Sequence, residues 1–225
     1  MSVTVRPDLA AAHAAARTSL VSAGTWWSAG ERRSLAATAA RAMWAEVPLA
    51  PWATDSDVIA WLGGGAGDAP VAAHRVAARM ARHSSTITRD WYERTREELG
   101  ELPYVELVGL VCLVAATTSL RRCLGLPAPE PVAAGNGEPT REPAPALAAA
   151  QLNWVPVAAP ADATAAVVQA LSAVPRVHDN LWRLADVQYI PDAEMVDPRW
   201  TRGTLSRPEM ELVAVSVSAG RECHY

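Results

Sequence analysis

The sequence predicts an all-α protein, and two observations support this fold class. Half of the 225 residues are hydrophobic, and alanine, the strongest helix former, supplies much of that half. Apolar residues recur at helical spacing along most of the chain, whereas strand signals do not repeat. Phe is absent and Trp occurs 9 times, so tryptophan is the main bulky aromatic residue.

Six helices are expected in the first part of the chain. Gly24 ends the first helix, the Gly63-Gly64-Gly65 run ends the third, and Gly125 with Pro127 ends the sixth. A chain of closely connected helices is typical of a helical domain with a sizeable apolar core. The expected helices cover residues 7–23, about 29–45, a short stretch from Asp55, a stretch opened by Asp68 and Pro70, 88–99 and 103–122.

A Pro- and Gly-rich segment follows. It contains six prolines between residues 127 and 145, together with Gly135-Asn136-Gly137. Such a segment buries too little apolar surface to order itself, so we expect a linker. The predicted division is a helical unit over 1–127, a linker over 128–146 and a second helical unit over 147–225.

The second unit is predicted to contain three helices, near 163–174, near 176–186 and from Ser206 onward. The Ser206-Arg207-Pro208-Glu209 sequence is a capping box with proline in the first turn, which defines the start of the last helix. One apolar face of that helix carries Met210, Val213, Ala214 and Val217.

Composition argues against several classes of function. The net charge of −4 offers no basic stripe for phosphates, so no nucleic-acid partner is expected. The longest apolar stretch, Leu107 to Ala116, is shorter than the ~18 residues of a membrane span, and Met1–Leu9 does not resemble a signal peptide. No metal-ligand spacing or nucleotide-binding loop is present, and no cofactor is expected. We therefore expect a cytoplasmic protein.

The three cysteines are widely spaced, which does not suggest a disulfide framework. Cys112 lies in an apolar run and is expected to behave as a small buried hydrophobic residue. Cys123 follows two arginines, whose positive charge favours the thiolate form of its side chain. We nevertheless prefer the interpretation that the position of Cys123 next to these arginines has no functional meaning. Cys223 lies in a different context, after the last helix.

The stretch from Leu205 to Ala219, followed by Glu222-Cys223-His224-Tyr225, resembles the core motif of the AhpD-like alkylhydroperoxidase and carboxymuconolactone decarboxylase superfamily. In that family a Glu-Leu pair opens a helix, Cys-x-x-Cys follows about twelve residues later, and a His comes shortly after. Glu211 precedes Cys223 by twelve residues. The resemblance implies that Glu211 is the proton relay and Cys223 the first thiol, while His224 lies one place earlier than the histidine of some members.

A second resemblance involves the first unit. Leu102–Val111, continuing to Leu124–Pro127, looks like the helix after the Cys-x-x-Cys region in this superfamily, and Gly24-Thr25-Trp26-Trp27 with the following helix looks like the part before it. Residues 1–127 are therefore interpreted as a copy of the unit without its thiols. Glu106 and His74 are polar residues on apolar helical stretches, and we favour a structural role for them over a remnant site.

The resemblance implies a thiol- or selenol-dependent peroxide reductase, with a peroxide substrate and a thiol reductant as partners. The attacking residue of the motif would fall at position 226, so we expect little or no turnover from residues 1–225 alone. One hypothesis is that codon 226 is UGA and encodes selenocysteine, and its rival is fragmentation. The alternative function is a non-redox decarboxylase-like enzyme or a helical oligomerisation module. Self-association is expected in either case, because helices lacking partners expose apolar surface.

Overall fold

A computed structural model describes residues 4–127, 135–149, 153–160 and 166–220 of the chain. Over these residues the protein is all-α, as predicted. The described helices are α1 (Pro7–Leu20), α2 (Ala29–Trp44), α3 (Asp55–Leu62), α4 (Val71–His83), α5 (Arg89–Leu99), α6 (Glu101–Cys123), α7 (Ala166–Gln169), α8 (Pro175–Gln188) and α9 (Arg207–Gly220), with 3-10 turns at Ser84–Thr86 and Asp192–Glu194.

One small antiparallel hairpin, which the sequence did not predict, accompanies the helices. Strand β1 (Leu147–Ala148) pairs with strand β2 (Val157–Ala158), with Leu147 opposite Ala158. Each strand has two residues, which is too short to show the alternation of apolar and polar residues by which a strand is recognised in a sequence. The hairpin does not change the fold class.

Side-chain caps define where several helices begin. Ser28 and Glu31 form a complete capping box at α2, and Thr54 with Asp57 forms another at α3. At α9, the amide and the hydroxyl of Ser206 both donate to the Glu209 carboxylate, each at 2.7 Å. These bonds satisfy main-chain donors that a helix start leaves unpaired, so the local sequence fixes these boundaries.

The core is built around α2, α4 and α6. Small residues such as Ala39 and Ala42 of α2 and Ala73 and Ala77 of α4 are almost completely buried, which lets these two helices pack closely. Helix α6 contacts α1, α2, α4, α5 and α8 and contributes several of the largest fully buried aliphatic side chains, including Leu107, Leu110 and Leu113. Alanine-rich helices can therefore form a well-packed core here because α6 supplies the bulk.

Helix α6 is the described helix that has the length and composition to cross a membrane. Most of its apolar window is buried inside the protein. It contacts helices on several sides, which is the environment of a core helix in a soluble protein.

The described part of the Pro- and Gly-rich segment lies against the first helices. The Gly135 amide donates to the Val21 carbonyl at 3.2 Å, and the Thr140 amide donates to the Gly24 carbonyl at 3.0 Å. The Arg141 guanidinium lies over the Trp26 ring, 5.3 Å from its centroid. The expectation that the linker is unordered is therefore wrong for residues 135–146, because their main-chain groups bond to the α1–α2 turn. Its composition does not reveal these bonds.

Helix α8 also packs on the first part of the chain, against α1 and α6. Val177 and Leu184 are its buried residues. Gly109 of α6 makes the close approach possible, because a Cβ at that position would lie 2.0 Å from Val177 Cγ1. The division into two repeated units remains a prediction, but α8 completes the packing of the first unit.

The last part of the described chain exposes apolar side chains. Helix α7 ends at Gln169, earlier than the predicted 174, and Leu171 has a φ of +67°, which a helix cannot accommodate. On α9, Met210 is buried, whereas Leu212, Val213, Val215 and Val217 are 57–65% exposed. Of the predicted apolar face of α9, Met210 is therefore buried and Ala214 half-buried, whereas Val213 and Val217 are exposed among the described residues.

Candidate functional site

The residues of the predicted thiol motif are only partly described by the structure. Cys223 and His224 fall in 221–225, outside the described residues, while Glu211 lies in the second turn of α9. The structure therefore gives the surroundings of the predicted relay carboxylate and not those of the predicted thiol.

Glu211 accepts two short hydrogen bonds. Tyr189 Oη donates to its Oε2 at 2.6 Å, and Arg207 Nε donates to its Oε1 at 2.6 Å. The Tyr189 bond is the main cause of a lowered pKa at Glu211, and Arg207 lowers it further. Burial, together with this carboxylate, raises the pKa of Tyr189 to about 12. Glu211 is therefore an ionised hydrogen-bond acceptor at neutral pH.

Arg207 is itself held in place from the other side. Its Nη1 donates to the Asp197 carbonyl at 3.0 Å and its Nη2 to the Met195 carbonyl at 3.1 Å. The start of α9 is thus bonded to the turn that precedes it and to Tyr189 at the end of α8. This arrangement fixes where the Glu211 carboxylate lies.

The two described cysteines are free thiols, as expected from the sequence. Burial raises the pKa of Cys112, which keeps it protonated and unreactive at neutral pH. Cys123 is exposed at the end of α6. Neither thiol lies in the predicted motif, so they serve as reference thiols for Cys223.

The most elaborate polar network lies in the first unit, around Glu106 of α6. Its Oε1 is 2.5 Å from Arg32 Nη1, and its Oε2 accepts from the Trp26 amide at 2.7 Å. Arg32 Nη2 also donates to the Ser19 carbonyl at 3.0 Å. The side chains of Arg32 and Glu106 are 5% and 0% exposed, so this is a buried ion pair completed by main-chain bonds.

Gly24 makes room for the Glu106 carboxylate. A Cβ at position 24 would lie 1.8 Å from Glu106 Oε1, closer than any side chain permits. The Gly24 amide donates to the Trp27 carbonyl at 2.9 Å, which closes the turn between α1 and α2. The Gly-Thr-Trp-Trp turn is therefore shaped around a carboxylate from another helix.

The ion pair forms part of the wall of a cavity of about 550 Å³ between α1, α6 and α8. Three guanidinium groups line it, those of Arg32, Arg176 and Arg183. Two carboxylates, those of Glu106 and Asp179, line it as well. One positive charge is left over, which makes the cavity suited to an anion.

The outer wall of the cavity is the polar face of α8. Arg176, Asp179, Asn180 and Arg183 recur at helical spacing, so they lie on one face of the helix. No residue that the structure describes gives Arg176 or Arg183 a hydrogen bond or an ion pair. The sequence shows this i, i+3, i+4, i+7 pattern, but nothing in it indicates that the face lies over Arg32.

His74 belongs to a separate network. Its Nδ1 lies 2.7 Å from Thr38 Oγ1, and its Nε2 has no hydrogen-bond partner of good geometry. Burial lowers the pKa of His74, and the nearby main chain of Ala66 opposes this shift. Glu106 and His74 thus belong to two separate networks and do not form a pair with each other.

Across the described ranges, no group of three or more His, Cys, Asp or Glu side chains is placed to hold a metal ion. Comparison of the chain with models of protein families, with curated proteins and with solved structures finds no match. The resemblance drawn from the sequence therefore supports a proposal and does not assign a family.

Proposed function

We propose that this chain provides the resolving thiol, Cys223, and an orienting carboxylate, Glu211, of an AhpD-like peroxide reductase. The observation that carries the proposal is the spacing of Cys223, twelve residues after Glu211, in a segment that resembles the motif of that family. Glu211 lies near the start of a capped helix and is held as a carboxylate by Tyr189 and Arg207. The expected partners are a peroxide and a thiol reductant.

The reaction would need a second chalcogen three residues after Cys223. Its thiolate or selenolate attacks one peroxide oxygen, the O–O bond breaks, and the departing oxygen takes a proton and leaves as the alcohol. The sulfur of the Cys223 thiol then attacks the sulfenic or selenenic acid, the bond to the hydroxyl group breaks, and the hydroxyl group leaves as water with the thiol proton. An external dithiol reduces the bridge and restores both groups.

The surroundings of Glu211 support an orienting role in this scheme. A carboxylate with a lowered pKa is a weak base, so Glu211 would stabilise a protonated neighbour by a hydrogen bond rather than store a proton. The Tyr189 hydroxyl bonded to it limits the directions in which it can accept a further bond. Glu211→Gln is therefore expected to lower turnover and to shift its pH profile.

Sequencing the gene beyond codon 225, followed by an activity assay, tests the proposal. Consumption of tert-butyl hydroperoxide with dithiothreitol is measured on residues 1–225 and on the product that includes the downstream codons. We expect background turnover from the first and catalytic turnover from the second. A codon 226 that is neither a Cys codon nor UGA would overturn the proposal.

Cysteine substitutions provide the matched controls. Cys223→Ser in the extended product is expected to abolish recycling of the enzyme, because the bridge cannot form. Cys123→Ser is expected to leave turnover unchanged, since Cys123 is an exposed thiol outside the motif. Equal turnover of the two variants would refute the role of Cys223.

A helical assembly module is the second candidate function. The observation that favours it is the exposed apolar surface of α9, where Leu212, Val213, Val215 and Val217 are each more than half exposed. Single exposed hydrophobic residues are common, but four exposed apolar side chains within residues 212–217 of one helix favour an interaction surface. Light scattering during size-exclusion chromatography would show a multimer that Val213→Glu converts to a smaller species. A monomer at all concentrations would exclude this candidate.

A further inference from the structure

We infer that the cavity between α1, α6 and α8 binds a small organic monoanion. The charged oxygen atoms of the ligand would pair with Arg176 and Arg183, and its apolar body would contact Leu110 and Leu113. This site does not involve Cys223 or Glu211, so the inference is independent of the proposed peroxide reductase function.

The charges that line the cavity indicate the sign and the size of the ligand charge. Three guanidinium groups face two carboxylates, and the Arg32–Glu106 pair is already matched internally. Arg176 and Arg183 have no ion pair among the described residues, and the remaining carboxylate of the lining, Asp179 on the same helix, contacts His178 instead, with His178 Nδ1 3.4 Å from its Oδ1. A ligand with one negative charge would balance the site, whereas a cation would add to the excess.

The position of the two arginines favours recognition of an oxyanion. They are seven residues apart on one face of α8, which places their Cα atoms about 10 Å apart along the helix axis. Arginine side chains are long enough to reach a common group from that separation, and a guanidinium donates two parallel hydrogen bonds to a carboxylate. Arg176 also lies in the first turn of α8, where the helix dipole favours an anion.

The buried arginine behind them adds a second observation. The Arg32 side chain is 5% exposed, and its Nε is a buried donor without a partner among the described residues. Burial lowers the pKa of Arg32, Glu106 opposes the shift, and the positive charge of Arg176 lowers it further. Arg32 and Arg176 are thus close enough to repel each other, and an anion between the arginines would relieve that repulsion.

The residues that line the cavity indicate the size and polarity of the uncharged part of the ligand. Leu110 and Leu113 form an apolar wall on the α6 side, whereas the Thr18 and Ser22 hydroxyls near the end of α1 already donate to the Ala14 and Thr18 carbonyls, at 3.2 and 2.8 Å. A volume of about 550 Å³ lies within the range of small-molecule sites, which is roughly 300–1,000 Å³. The combination suits a carboxylic acid with a compact apolar or aromatic body.

Calorimetric titration of the 225-residue chain with benzoate tests the inference, with neutral benzamide as the isosteric control. Benzoate is expected to bind saturably and benzamide to bind at least about tenfold more weakly, because a charge-assisted pair is lost. Inorganic phosphate is titrated in parallel. Equal binding of benzoate and benzamide, or binding of phosphate without binding of benzoate, would overturn the assignment to an organic anion.

Charge-matched variants locate the binding. Arg176→Gln and Arg183→Gln are each expected to weaken benzoate binding by about tenfold. Arg199→Gln changes the net charge by the same amount, but the Arg199 side chain is 93% exposed on a loop outside the cavity. The Arg199→Gln variant should therefore bind benzoate as tightly as the unmodified protein. A loss in Arg199→Gln equal to that in the other two would contradict the inference.

A steric variant tests the same site without changing any charge. Ala15 lines the cavity and is exposed on α1, and its neighbour Ala14 is exposed on the same helix but does not line the cavity. Ala15→Trp is expected to abolish benzoate binding, whereas Ala14→Trp is expected to preserve it. Both positions are exposed, so neither variant requires repacking of the core. Retained binding in Ala15→Trp would place the ligand elsewhere.

Discussion

Arg32 Nη1 and Glu106 Oε1 lie 2.5 Å apart in the interior of the protein, with both side chains almost completely removed from solvent. Two buried charges cost several kcal/mol to desolvate, and the cost is offset only where further hydrogen bonds complete their surroundings. The Trp26 amide and the Ser19 carbonyl supply such bonds. The pair therefore joins the end of α1, the α1–α2 turn, α2 and α6 in one network.

Removing one charge of this pair is predicted to destabilise the fold strongly. Glu106→Gln preserves the shape of the side chain but leaves the Arg32 charge buried without its counter-ion. The expected loss in the free energy of unfolding is about 3–5 kcal/mol, measured by urea unfolding at neutral pH. Glu98→Gln is the control, because Glu98 is an exposed partner of Arg75 and its loss should cost less than about 1 kcal/mol. Similar losses in both variants would contradict a structural role for the pair.

The close approach of Gly24 to Glu106 gives a second prediction. Gly24→Ala would place Cβ 1.8 Å from Glu106 Oε1, so the turn or the carboxylate must move. We expect a loss of roughly 1–3 kcal/mol or more, as for overpacking elsewhere in protein cores. Gly65→Ala is the matched control, since no atom lies within 4 Å of its Cβ position. Thermal unfolding of both variants measures the difference, and an unchanged melting temperature in Gly24→Ala would refute the packing argument.

The packing of α8 on α6 is testable by rescue. Gly109→Ala would place a Cβ 2.0 Å from Val177 Cγ1, and we expect it to loosen α8 and to reduce stability by about 1–3 kcal/mol. Val177→Ala removes that γ carbon, and the remaining Val177 Cβ lies at an ordinary 3.4 Å. The double variant should therefore be more stable than Gly109→Ala alone. Additive losses in the double variant would show that the two residues do not oppose each other.

His74 is predicted to make stability depend on pH. Burial lowers its pKa below the ordinary 6.5, so the unfolded chain binds the proton first as the pH falls. The free energy of unfolding should therefore decrease as the pH falls from about 6.5 towards the lowered pKa of the folded state. His13 is shifted in the same direction by burial and adds to the decrease.

The change His74→Asn is expected to flatten this dependence, because its amide can still bond to Thr38 but does not titrate. Urea unfolding of the parent and the variant between about pH 7.5 and pH 5 makes the comparison. An identical slope in both proteins would show that His74 does not contribute.

Much of the helical framework could be predicted from local sequence. The starts of α2, α3 and α9 are specified within a few residues by Ser28, Thr54 and Ser206, and the glycine after α3 specifies its end. Such signals are short-range, so they can be recognised without knowledge of the fold. The hairpin and the ordered part of the 135–146 segment could not be predicted, because their bonds join residues more than a hundred positions apart or lie in strands of two residues.

The candidate cavity could be predicted only in part. Glu106 was recognisable as a carboxylate on an apolar helix, and its pairing within the structure agrees with the structural role favoured for it. Arg32, Arg176 and Arg183 were not recognisable as one site, because nothing local shows that α8 packs over the end of α1. Cys223 and His224 lie outside the described residues, so their roles remain predictions.

The most direct test of the proposed peroxide reductase is peptide mass mapping after one equivalent of peroxide. The extended product is treated with tert-butyl hydroperoxide, alkylated and digested, and the fate of each cysteine is read from the fragments. The proposal predicts a bridge between Cys223 and the residue three positions later, with Cys123 remaining alkylated as a free thiol. If Cys223 is alkylated to the same extent as Cys123 and no bridged fragment is present, the chain does not supply a resolving thiol.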